Sequence, residues 1–115
     1  MSSYAEYLLE LIKDETDYQE TRIRHCYDNA KCFMELYQQG VKKAGETKKN
    51  VLEKSKLALG FYQEWEDEIK KYLSESEASL NFLGRRKIEK FVSGKRKEME
   101  SALNKINAFL SKIVG

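Results

Sequence analysis

The most reactive side chains in this sequence lie close together: His25, Cys26 and Cys32. A histidine beside a thiol can form a nucleophile pair, and thiols with an imidazole can hold a metal ion. The spacing denies both. On a helix Cys26 is turned about 100° from His25, so base and thiol face apart. Cys26 and Cys32 would lie about 9 Å apart along the axis, beyond the ~7 Å reach of a disulfide. A zinc site needs several Cys and His at set intervals, and His25 is the single histidine. A di-iron bundle needs a Glu three residues before its histidine, and Arg22 holds that place. No Gly-x-x-x-x-Gly-Lys phosphate loop occurs. The expectation is a non-enzyme with no cofactor, no metal and no small-molecule substrate, in which these three residues are ordinary helix positions.

A second group could do a different kind of chemistry. Between Gly84 and Lys97 stand Arg85, Arg86, Lys87, Lys90, Lys95, Arg96 and Lys97, with Glu89 the one acid. Bases near a helix start oppose the macrodipole, which an anionic partner would relieve. These seven are the candidate partner- or anion-binding residues. Nucleic acid, an anionic membrane surface and an acidic protein could each supply the charge. The competing expectation is a solvated face whose bases pair with Asp14, Glu15 and Asp17 of the first helix. Charge along the chain is uneven: residues 1–38 carry −4, residues 39–83 carry zero and residues 84–115 carry +6. The total of +2 is small for a general DNA binder.

The elements that position these residues follow from periodicity. The chain has 115 residues and no proline, so helices run until glycine or a polar cluster stops them. Gly40 and Gly45 flank one polar segment, and Ser74–Ser79 with Gly84 marks another. In the first segment the apolar stripe includes Tyr7, Leu8, Leu11, Ile12, Tyr18, Ile23, Cys26, Ala30, Phe33, Met34 and Tyr37. Ser3 and Glu6 fit a capping box at its start. The second segment has an unbroken four-three heptad seam: Val51, Ser55, Ala58, Tyr62, Trp65, Ile69 and Tyr72. Thr47 or Glu46 can cap it. The third runs Ile88, Val92, Lys95, Met99, Ala102, Ile106, Phe109 and Ile113, with Lys95 the one charge on the seam. Its aliphatic stem can snorkel.

These patterns predict an all-α domain over residues 1–115, with helices at about 4–39, 46–73 and 85–114. Matching lengths and short connections predict an antiparallel up-down bundle of three long helices, spectrin-like in shape, with coiled-coil seams. Ser74–Leu83 leaves room for a short fourth helix. Neither a secretory leader nor an apolar run of ~18 residues is present, so a cytoplasmic protein is expected. Seven tyrosines are more phenols than a slender core requires, and they suit surfaces that are part apolar and part wet. The expected function is a helical adaptor or assembly module that binds another protein and self-associates as an oligomer. The alternative is binding of nucleic acid or anionic lipid through the basic segment 85–97.

Overall fold

A computed structural model describes residues 4–113, with Glu77 described by its backbone alone. Three helices pack against one another: α1 (Tyr4–Gln38), α2 (Ala44–Ser76) and α3 (Phe82–Lys112). No strand occurs among the described residues. The expected capping serine, Ser3, lies outside the described residues. Helix α3 ends at Lys112, short of the expected 114, where Ile113 leaves the helical conformation and its N–H donates to Leu110 O. Contacts between α1 and α2 pair low numbers with high: Tyr4 with Ser76, Gln19 with Glu64. Contacts between α1 and α3 rise together: Glu20 with Lys95, Tyr27 with Phe109. The assembly is a rod, 59 × 20 × 15 Å.

The first corner forms where glycine permits it. Gly40 has φ +78°, a left-handed conformation that costs a residue with a Cβ. Its N–H donates to Tyr37 O, and Val41 N–H donates to Leu36 O, which closes the end of α1 as a Schellman motif. The turn is compact, so α2 starts at Ala44, and Gly45 falls inside the helix. Thr47, expected as a cap, is buried one turn in and donates its hydroxyl back to Lys43 O.

At the second corner a three-residue 3-10 turn, Glu77–Ser79, stands where a fourth helix had room. Asn81 then caps α3: its Oδ1 accepts from Gly84 N–H at 2.7 Å. The helix therefore begins three residues before the expected start at 85. Gly84 is needed there for another reason. A Cβ on it would lie 2.7 Å from Ala5 Cβ, so the first turns of α1 and α3 touch backbone to side chain.

The core follows the α2 and α3 seams. Val51, Ala58, Trp65 and Ile69 are buried, as are Ile88, Val92, Met99, Ile106 and Ile113. The α1 stripe needs correction. Tyr7 and Tyr18 are 61% and 56% exposed, whereas Leu9, Thr16 and Gln19 are buried. The reason lies opposite them. Trp65 is 0% exposed, and its indole N–H needs an acceptor, which Thr16 Oγ1 supplies at 2.9 Å. Thr16 in turn donates to Ile12 O. Gln19 reaches Glu15 and Glu64, and its Oε1 accepts from Arg22. Polar residues hold two seam positions of α1 because α2 presents an N–H and a carboxylate there.

Two outcomes follow. Trp65→Ala should cost about 3–5 kcal/mol in denaturant unfolding, as a large buried ring is removed. Gly84→Ala should destabilise by about 1–3 kcal/mol through overpacking. Adding Ala5→Gly should return part of that loss: it removes the nearer clash, at 2.7 Å, but leaves the 3.0 Å contact with Asn81 Oδ1 and adds a helical glycine.

Candidate interaction surfaces

The residues with nucleophilic or ligand chemistry are dispersed. Cys26 is buried and its thiol is pushed up by that burial, against the smaller opposing pull of Lys54 and Arg22. Cys32 is exposed, as is His25. Among the described residues no three His, Cys, Asp or Glu side chains are placed to hold a metal ion. A hollow of about 170 Å³ lies between α1 and α3, beside Ile23, Tyr27 and Ala102. Open surface grooves of about 440 and 490 Å³ flank Lys87 where α3 meets α1.

The seven bases of the basic segment divide according to where α3 turns them. Three of them sit on or beside the packed face. Lys95, on the seam, is half-buried and pairs with Glu20 at 3.1 Å and Glu98 at 3.3 Å. Arg96 faces α2 and pairs with Glu66 at 2.8 Å. Arg85 pairs with Glu89 at 3.1 Å along its own helix. The acids that meet α3 are therefore Glu20 and Glu66. The expected partners Asp14, Glu15 and Asp17 make no ion pair with the segment among the described residues. Hydrogen bonding to Glu20 raises the pKa of Lys95, and hydrogen bonding to Glu66 raises that of Arg96.

Four bases point elsewhere. Arg86, Lys87, Lys90 and Lys97 are exposed and form no ion pair among the described residues. Lys87 leans to the α1 side, where it shares a groove with Tyr7 and Lys13. The others lie on a stripe opposite the buried face. At ~100° per residue, positions 83, 86, 90, 93, 97, 101, 104 and 108 share that direction. They read Leu83, Arg86, Lys90, Ser93, Lys97, Ser101, Asn104 and Ala108, all exposed and with no acid among them. The three acids of α3 are turned to the flanks. Glu89 meets Arg85, Glu98 meets Lys95, and Glu100 accepts from the Tyr62 hydroxyl at 3.0 Å.

Sequence periodicity located the bases and missed this division, because proximity along the chain hid the face each one occupies. It also missed the apolar pair at the head of the stripe. Phe82 and Leu83 are both 74% exposed, the most exposed of the large hydrophobic side chains. On α1 a second repeat runs through Tyr7, Leu11, Asp14, Tyr18 and His25, at steps of four and three with one position skipped; Leu11 is half-buried and the others are exposed.

Among the described residues no helix is long and apolar enough to cross a membrane. Compared with protein-family models, curated proteins and solved structures, the chain matches none.

Burial, and then the bond to Glu100, push the Tyr62 pKa from 10.0 up to about 12. The folded state thus favours the neutral phenol. That contribution is present below pH ~10, the ordinary tyrosine value, and is lost as pH rises through about 12. The raised Lys95 acts in the same direction. Urea midpoints should fall as pH rises above ~10, and Tyr62→Phe should make that fall shallower. A steeper fall in Tyr62→Phe would show that the phenol is not held neutral.

Proposed function

We propose that the chain is a non-catalytic helical adaptor, an up-down bundle of spectrin-like shape that binds another protein and associates with itself. The observation that carries this reading is the outward repeat on α1. Tyr7 and Tyr18 are more than half exposed on a helix whose opposite face is fully packed. Their spacing, with Leu11 between them, is the spacing by which one helix receives another. Tyrosine suits such a surface, with a large apolar ring and a hydroxyl that tolerates water. A reducing compartment such as the cytoplasm suits two thiols, Cys26 and Cys32, that helical spacing keeps apart.

A second reading, anion binding through segment 85–97, is favoured by the acid-free outward stripe of α3. Its residues are Arg86, Lys90 and Lys97, while Lys95, Arg96 and Arg85 serve pairs within the bundle. The two readings use different faces, because each stripe lies opposite the packed side of its own helix.

The adaptor reading is tested by a photo-crosslinker placed at Tyr18 in native lysate, with and without nuclease, at low and high salt. It expects a protein adduct that survives nuclease and salt and that disappears when Tyr7→Ser is added. Crosslinks only to nucleic acid, or none, would count against it. Sedimentation should show a dimer or larger species at micromolar concentration. A single species of ~13.5 kDa at every concentration would remove self-association from the proposal.

A further inference from the structure

We infer that the outward face of α3 docks on an anionic lipid bilayer, with Phe82 and Leu83 entering the boundary between headgroups and acyl chains. Arg86, Lys90 and Lys97 then meet the lipid phosphates. The inference rests on the anion-binding reading and names its occupant.

The apolar pair carries the choice. Leu83 lies on the axis of the cationic stripe and Phe82 lies beside it, one residue earlier. Their exposure is not that of a loosely held helix end. Asn81 caps the helix through Gly84 N–H, and Gly84 is seated against Ala5. With the turn pinned on its inner side, residues 82 and 83 are held outward. Two large apolar side chains ahead of a row of cations form the combination that interfacial segments use: apolar groups in the acyl boundary and bases among anionic headgroups. A phosphate backbone offers Leu83 no apolar medium, so nucleic acid would leave half of the feature unused.

A second protein fits less well. Phe82 and Leu83 together present apolar area on the order of a few hundred Å². A stable protein interface needs about 800 Å² per partner. A bilayer requires no shape complementarity and accepts a small apolar foot. Ser93 between the cations and Ser101 after them are short, so the helix can lie close to a flat surface. Of the acids of α3, Glu98 lies on the far flank with Lys95, while Glu89 and Glu100, on the Phe82 side, are engaged by Arg85 and the Tyr62 hydroxyl. From Leu83 to Ser101 the stripe is about 27 Å long, enough to span several headgroups.

The test is co-sedimentation of the full chain with vesicles of phosphatidylcholine alone and of phosphatidylcholine with phosphatidylserine. Binding should require phosphatidylserine. The variant Arg86→Glu/Lys90→Glu/Lys97→Glu should bind at least roughly a hundredfold more weakly, since three surface cations are lost and three anions added. A control of equal charge change, Lys48→Glu/Lys49→Glu/Lys70→Glu on α2, should bind much closer to the parent. Phe82→Ser/Leu83→Ser should lose the binding that persists at high salt. Circular dichroism and melting of each variant establish that the bundle is intact; if the triple variant unfolds, the serine pair and the α2 control carry the test. Equal loss in control and stripe variants, or equal binding to both vesicle types, overturns the inference. A parent that binds a labelled oligonucleotide and ignores vesicles overturns the bilayer and keeps anion binding. A parent that binds neither removes both.

Discussion

The hydrogen bond from Trp65 to Thr16 is the constraint from which the packing follows. An indole ring gains from burial only if its N–H finds a partner. Trp65 is fully buried midway along α2, and its indole N–H donates to a hydroxyl on α1. That bond fits the rotation of α1 that also buries Leu8, Ile12, Ile23 and Ala30: Thr16 and Gln19 face inward, and Tyr7 and Tyr18 face outward. Arg22 follows, lying over the Phe61 ring at 3.7 Å and pairing with Glu64 at 3.0 Å. The partner-facing repeat proposed on α1 thus goes with the same rotation that seats this polar contact and the apolar stripe beside it.

The same logic divides the charges of α3. Charged groups close to the seam need partners, because desolvation without one is costly. Lys95 and Arg96 have Glu20 and Glu66, and both pairs tie α3 to its neighbours. Charges on the far side have water as partner and no structural duty. A run of seven bases is therefore two populations, one that helps hold the bundle and one that is open to an anion. Exposed pairs contribute at most about 1 kcal/mol each, so the structural population matters more for alignment than for stability.

Much of the architecture was legible in the residues. The α2 and α3 seams are readable because their spacing is unbroken and one face suffices to bury them. The α1 face was less so. Its tyrosines mimic core positions by type, while Thr16 and Gln19, the true seam residues, look polar until the indole opposite them is known. Helix starts were displaced for local reasons. Asn81 can cap only if Gly84 permits the close approach to Ala5, and that contact joins residues 79 apart in sequence. The site was legible in part: the bases are visible in the sequence, but their partners sit on other helices. The exposed Phe82 and Leu83 resemble core residues until the start of α3 is placed.

The division of the basic segment is tested most directly by lysine acylation read by mass spectrometry on the folded chain. Lys90 and Lys97 should be modified fastest. Lys95, held as an ammonium by Glu20 and Glu98 and half-buried, should be the slowest lysine of the segment. Glu20→Gln should bring it toward the others. Acylation of Lys95 at the rate of Lys90 and Lys97 in the parent would contradict the account, since all these bases would then be equivalent.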